Sequence, residues 1–261
     1  MLLLIDIGNT STVAVLSDGR DLLASQRVKT WGRGETADAA LSAADYYQAA
    51  FEDFFAENCV TADSFTGAAM TSVVPVAAGG AAEALARMGI SGLLTVDCHT
   101  DTGIALAVDA PETVGTDMIV GAAAAVHLCG APVIMIDMGT ATTFSLVDED
   151  MNYRGHIIAA GIGISLGALK ERTAQLPLVE PGLPPQLIGT NTVNAMKSGA
   201  MYGAAAMIDG IIDRIFEEYG REMPIIATGG YTEYVLPLCR HRVAREDQLL
   251  LKGLLYIKNR V

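Results

Sequence analysis

The sequence predicts an α/β protein of two lobes, each a mixed sheet flanked by helices. A short pattern occurs twice: an apolar strand ending in Asp-x-Gly, a tight turn, and a second strand rich in β-branched residues. The copies lie about half a chain apart, Asp137 following Asp6 by 131 positions in a chain of 261 residues. Around them, helical patterns alternate with short apolar runs, as expected of sheets layered with helices.

The elements follow in order. Leu3–Ile7 and Ser11–Leu16 form the first hairpin, with Gly8-Asn9-Thr10 at its turn. Residues Thr36 to Asn58, rich in Ala, Glu, Phe and Tyr, suit an amphipathic helix. Gly67 to Val74 reads as a strand, Ala77 to Met88 as a helix and Leu93 to Asp97 as a strand. The run from Met118 to Ile136 lacks formal charge and is long enough to cross a bilayer. Gly130-Ala131-Pro132 splits it, so a buried helix followed by a core strand is the better reading. That strand opens the second hairpin, Ile134–Gly139 into Ala141–Leu146. A helix over Ser165–Gln175, a proline-bearing loop from Pro177 to Pro185 and a long helix over Thr192–Glu218 come next. A strand, Ile225–Thr228, ends at Gly229-Gly230, and a helix over Gln248–Asn259 closes the chain. With one hairpin in each half and no low-complexity linker, the lobes are expected at 1–116 and 117–261.

Composition narrows the function. Hydrophobic residues at 51% against 18% charged predict an ordered, well-filled core. A net charge of −13 opposes a phosphate backbone or an anionic membrane surface, so neither nucleic acid nor membrane is an expected partner. A local site of backbone amides and a cation still accommodates ATP. Cys59, Cys98, Cys129 and Cys239 have no metal-site spacing and read as incidental thiols of a reducing compartment. The start carries no basic region and its apolar run stops at Asp6, so a cytoplasmic protein is expected.

The two turns carry the candidate chemistry. Gly8 lets a phosphate approach the turn backbone, Asn9 and Thr10 add side-chain donors, and Asp6 at the strand end can hold a hydrated Mg²⁺. A single such turn is as often an ordinary hairpin capped by its Asp. The second copy, Asp137 to Thr140, makes the pair a pattern for gripping a nucleotide from two lobes. Thr228-Gly229-Gly230 is a further glycine-rich approach, towards the adenosine side. Asp117, in Gly115-Thr116-Asp117, opens a helix; it is either a helix cap or a general base for an acceptor hydroxyl. The histidines form no cluster; His156, in a glycine-containing stretch, reads as a partly buried imidazole.

Taken together, these segments resemble the type III pantothenate kinases along essentially the whole chain. The matching pieces are LLIDIGNTST at the start, TSVVP at 71–75, PETVGTD at 111–117, IDMGTATTF at 136–144 and TAQLP at 173–177. The AGIGISLGAL run ending at Leu169, TNTVNAMKSGAMYG at 190–203, ATGG at 227–230 and LLLKGLLYI at 249–257 complete the set. The resemblance implies an actin-like ATPase (ribonuclease H-like) fold, ATP-dependent phosphorylation of pantothenate in coenzyme A biosynthesis, and a homodimer. It implies a phosphate-binding hairpin of Asp6, Ile7, Gly8, Asn9, Thr10, Ser11, Thr12 and Val13. It places Asp137 by a monovalent cation (potassium or ammonium), Thr140 by the nucleotide phosphates, Asp117 as the base, and Thr192 against the acceptor of the partner subunit. The acceptor site would also include Gly115 and Thr116.

The departures from the family cluster. Its usual Gly-x-Asp-Arg ends here in Met118, where the arginine would help hold the pantothenate carboxylate, and its acceptor-contacting tyrosine is Val108. Its Gly-Gly is Gly155-His156, its Pro-Gly is Ala160-Gly161, and the Asp closing the second hairpin is Ser145. A charge-assisted pair with a carboxylate contributes about 1.5–3 kcal/mol, which a methionine cannot supply. The sequence therefore leaves three readings: a pantothenate kinase with a changed pocket, a paralogue acting on another small alcohol, and a catalytically weak nucleotide-binding regulator.

Overall fold

A computed structural model describes residues 1–32 and 41–261. The opening of the helix expected over 36–58 lies outside the described residues; the rest is α1, Ala43–Glu57. The chain falls into two compact units: Met1–Leu128 with Met151–Tyr153 and Gln248–Val261, and Cys129–Asp150 with Arg154–Asp247. The sequence reading divided the chain after Thr116. Residues 117–128 and the C-terminal helix instead group with the first unit, because their apolar faces cover its sheet.

The first unit is built on a sheet of β1 (Leu2–Ile7), β2 (Ser11–Ser17), β3 (Leu22–Lys29), β4 (Gly67–Ser72) and β5 (Leu93–Thr95). The order is β3-β2-β1-β4-β5, with β2 antiparallel to both β1 and β3, and β4 parallel to both β1 and β5. Successive side chains of a strand point to opposite faces. Leu3, Ile5 and Ile7 pack with Tyr47, Phe51 and Phe54 of α1 and with Ala77, Ala81 and Leu85 of α2 (Pro75–Arg87). Leu2 and Leu4 pack on the other face with Val120 and Ala123 of α3 (Thr116–Cys129), and with Leu251 and Leu254 of the C-terminal helix. Asp6 shares this second face. A strand buried on both sides reads as a continuous apolar run, which is why β1 was legible. The edge strand β3 was not, since polar residues Ser25, Gln26 and Arg27 fill its middle. A two-residue strand, β6 (Ala105–Leu106), pairs with Asn152 and Tyr153.

In the second unit, β7 (Val133–Met138), β8 (Ala141–Val147), β9 (Asn152–Ala160, in this unit from Arg154 on), β10 (Ile225–Thr228) and β11 (Ala244–Arg245) lie in the order β11-β10-β7-β8-β9. Ile134, Ile136 and Met138 face α4 (Ile162–Arg172) and α5 (Thr192–Tyr219), meeting Leu166, Met201, Ile208 and Ile212. Asp137 faces the other way. Asn191 caps α5 by accepting the Asn194 N–H at 2.9 Å, and Gly220, at φ 77°, ends it in the left-handed conformation. The short α6 (Thr232–Val235) follows β10, and α7 (Leu249–Arg260) closes the first unit. No helix among the described residues is long and apolar enough to cross a membrane.

Candidate functional site

The first unit brings together most of the residues singled out in the sequence. β1 and β2 pair from Leu2↔Ser17 to Ile7↔Thr12, and the turn closes where the Gly8 N–H donates to the Ser11 carbonyl at 3.0 Å. Asn9 and Thr10 are exposed at its tip, while Ile7 is buried in the sheet. A hydroxyl network fixes the turn from behind. Thr30 donates through its hydroxyl to the Gly8 carbonyl (2.8 Å) and through its N–H to the Thr10 carbonyl (3.1 Å). The buried Thr12 hydroxyl lies 3.2 Å from that of Thr30 and 2.9 Å from that of Tyr47.

Asp6 is half-buried beside β4, paired with Thr71 on one side and Val13 on the other. The Thr71 hydroxyl donates to the Thr116 hydroxyl at 2.9 Å. Thr116 in turn donates to the Ser72 carbonyl at 2.9 Å and accepts the Ser72 N–H at 3.2 Å. This staple ties the first turn of α3 to the end of β4, on the face that carries Asp6, and so brings Asp117 to the same end of the sheet. The Asp117 Oδ1 accepts the Met118 N–H at 2.8 Å. Burial pushes its carboxyl above the usual aspartate range, against the opposing effect of the Met118 and Asp117 N–H groups. A Cβ on Gly115 would sit 2.5 Å from that oxygen, so only glycine leaves it room. A desolvated carboxylate with a raised pKa has the character of a proton acceptor. Its place inside the first turn, bonded to the very next N–H, differs from an ordinary cap.

Met118 is buried, and the Tyr153 hydroxyl reaches its sulfur at 3.9 Å. Tyr153 was not foreseen, although it stands two residues before Gly155 in a run that proves to be β9. Val108 is half-buried just past β6, next to Ala107, whose N–H donates to the Tyr153 carbonyl at 3.0 Å. Met118 thus touches the buried Tyr153 side chain, and Val108 follows the residue bonded to the Tyr153 backbone.

The second unit holds Asp137, Thr140 and Thr192. Here the turn closes with the Gly139 N–H on the Ala141 carbonyl at 3.0 Å, leaving Thr140 exposed. Bare backbone packs against it. A Cβ on Gly161, the residue before α4, would collide with the carbonyl oxygens of Thr140 and Gly139. Gly229, at φ 104°, brings the end of β10 so close that a Cβ there would lie 2.6 Å from the Met138 backbone. The amino end of α4 thus abuts the carbonyls of this turn. Thr192 is exposed at the start of α5, on the rim of a cavity of about 750 Å³ between α4 and α5. His156 is exposed on β9 rather than partly buried, since this end of the strand is open on both sides. Cys59 is exposed and the other cysteines half-buried, and no cluster of three His, Cys, Asp or Glu side chains suited to a metal occurs among the described residues.

The architecture places the chain in a structural class first. It is similar to component A of (R)-2-hydroxyglutaryl-CoA dehydratase from Acidaminococcus fermentans, with a TM-score of 0.55 at 12% identity, covering all of this chain and 96% of that one. It is also similar to the activator of 2-hydroxyisocaproyl-CoA dehydratase from Clostridium difficile, solved with bound ADPNP, with a TM-score of 0.52 at 13% identity. That likeness covers 99% of this chain and 93% of that one. The fold is that of the actin-like ATPases and sugar kinases.

Sequence comparison then narrows the class. The family description "Type III pantothenate kinase" matches residues 2–214. The type III pantothenate kinase of Brevibacillus brevis is 37% identical, and that of Salinispora arenicola 38%, each covering all of this chain and 99% of its own. The chain belongs to the type III pantothenate kinase family.

Proposed function

We propose that this protein is a kinase that transfers the γ-phosphoryl group of ATP to a hydroxyl of pantothenate, in coenzyme A biosynthesis. Family membership over the whole chain supports this, and Asp117 is the observation that carries it. Its carboxylate is desolvated, fixed by the α3 backbone and stapled through Thr116 to the sheet end that bears Asp6. In the reaction the acceptor oxygen forms its bond to the γ-phosphorus as the bond to the β,γ-bridging oxygen breaks. ADP leaves, and Asp117 takes the hydroxyl proton. By the family resemblance, the hairpin from Asp6 to Val13 would contact the nucleotide phosphates, as would Thr140; Gly115, Thr116 and Asp117 would border the acceptor, and Thr192 the acceptor of the partner subunit.

The donor sets fit the ions such a kinase uses. Asp6 offers one carboxylate at an open turn, in keeping with Mg²⁺ held by few protein oxygens plus phosphate. Asp137, with an orphaned hydroxyl beside it, fits potassium or ammonium. When bound, such ions neutralise phosphate charge. An ADP-release assay across pantothenate and related alcohols tests the proposal, and wild type should turn over pantothenate. Release with another alcohol alone would transfer the function to that acceptor, and release with none would leave only nucleotide binding.

The contact between Met118 and Tyr153 favours a second reading in which the acceptor differs. The family's arginine is replaced by a thioether that is buried against Tyr153 and holds no anion. Met118→Arg with Val108→Tyr should then raise pantothenate turnover by lowering KM. Wild type with a low KM, unimproved in that variant, would show that another cation holds the carboxylate.

The assembly proposed is a cytoplasmic homodimer. Exposed Leu169 lines the cavity at Thr192, and exposed Ile164, Ile188 and Val193 are sequence neighbours of its lining residues, apolar surface that a second copy would cover. Light scattering that finds a fully active monomer at micromolar concentration would refute it.

A further inference from the structure

We propose that the Thr143 hydroxyl is a direct ligand, alongside Asp137, of a monovalent cation in the second unit. The inference rests on the cation reading above and adds to it Thr143, a residue within the matching segment at 136–144 to which the resemblance assigns no role.

Thr143 Oγ1 is buried and has no hydrogen-bond partner, alone in this among the side-chain atoms of the described residues. A buried hydroxyl that bonds to nothing is costly, and hydroxyls rotate freely to find an acceptor. One left without a partner points to a group that arrives from outside. Its neighbours show which group. Thr143 stands directly opposite Asp137 in the β7–β8 ladder, and side chains directly opposite in an antiparallel pair share one face about 5 Å apart. On the other side of Asp137, β10 places Thr228 in register with it, and Thr228 is 4% exposed. A hydroxyl, a carboxylate and a second hydroxyl thus lie in one row across three adjacent strands. The Asp137 carboxylate leans over the turn, its Oδ1 3.5 Å from where a Cβ on Gly139 would be.

This row suits a large, weakly hydrated monocation. It offers one negative charge with neutral oxygens, whereas a divalent ion bound by protein alone draws on several carboxylates. The side chains supply no phosphate-binding cation, so an anion is disfavoured at the row itself. The first hairpin provides an internal control. There the residue opposite Asp6 is Val13, and no hydroxyl is orphaned.

The test uses the full-length chain in potassium-free choline chloride. Tl⁺, a potassium mimic, is titrated by thallium NMR, and KCl is titrated against thermal melting at constant ionic strength. Wild type and Thr143→Ser should bind Tl⁺ and melt higher as potassium rises. Thr143→Val should need on the order of tenfold more of either ion for the same response. Without potassium, Thr143→Val should melt no lower than wild type, because it deletes a hydroxyl that bonds to nothing. A wild-type ion response in Thr143→Val overturns the proposal. A lower potassium-free melt in that variant also overturns it, since the hydroxyl then has a structural partner. If wild type and Asp137→Asn both ignore Tl⁺ and K⁺, the cation reading itself fails, an outcome distinct from failure at Thr143 alone.

Discussion

The two hairpins descend from one sequence pattern, yet they are held in different ways. In the first, Gly8–Ser11 separates the paired residues Ile7 and Thr12; in the second, the shorter Gly139–Ala141 separates Met138 from Thr142. The first turn is braced by side-chain hydroxyls, with Thr30 bonded to its backbone and Thr12 joined to Thr30 and Tyr47. The second is braced by backbone, with Gly161 and Gly229 packed directly against it. The difference lies also in the residue facing each aspartate, Val13 for Asp6 and Thr143 for Asp137. The same motif can therefore present a carboxylate either beside an apolar wall or beside an oxygen donor. The first unit adds a helix whose first residue, Thr116, is stapled to the neighbouring strand, with Asp117 next to it.

The largest expected effect sharpens that last contrast. Asp117→Asn should lower kcat by about 10²–10⁴-fold, the usual contribution of a general base. The same change should stabilise the fold at neutral pH. The folded-state pKa of Asp117 is raised, so the folded protein binds its proton more tightly than the unfolded chain does. Its cost to stability is absent below the unfolded pKa of about 4, grows as pH rises to the folded value, and is constant above. Melting of the variant against wild type should show a gain at pH 7 that vanishes at low pH. A variant less stable than wild type at pH 7 would show that the ionised carboxylate holds the fold together.

Glycine substitutions probe how the two turns are braced. Gly161→Ala pushes a methyl into the Thr140 carbonyl and should cost about 1–3 kcal/mol, with weakened ATP binding. Gly8→Ala meets only the Ser11 carbonyl at 3.4 Å, an ordinary contact, and its fold should be nearly unaffected. Equal losses in urea melts would break the distinction between a backbone-packed and a hydroxyl-braced turn.

A smaller, two-sided effect separates the threonines. Thr12→Val takes one hydrogen-bond partner from each of the Thr30 and Tyr47 hydroxyls, which keep the Gly8 carbonyl and the Trp31 N–H, and should cost about 1–3 kcal/mol by denaturant unfolding. Thr143→Val in potassium-free buffer removes no bond and should cost nothing. Last comes Asp6→Asn against Asp137→Asn. The first should raise the Mg²⁺ needed for half-maximal rate, and the second the K⁺ needed. A variant that alters both requirements alike would mean that the two carboxylates share one ion.

Much of this was written in local sequence. Both hairpins, the α3–β7 split at Gly130-Ala131-Pro132 and the long α5 follow from patterning, since an apolar run punctuated by glycine and proline has few ways to fold. The polar edge strand β3 and the exposed end of β9 were missed, because pairing with a neighbour made them strands where composition did not. The motif residues Asp6, Gly8, Asp117, Asp137 and Thr140 were likewise legible, as short-range turns need particular residues at fixed offsets. Their supports were not. Thr30 and Tyr47 behind the first turn, Thr71 beneath Thr116, Tyr153 against Met118 and Thr143 opposite Asp137 come from strand register and helix docking. These are contacts between residues 6 to 45 positions apart, for which a single sequence carries no periodic signal. The sequence alone determined which groups could do the chemistry. The tertiary structure decided which of them is desolvated, which is braced and which is left without a partner, because burial and register depend on what the rest of the chain brings alongside.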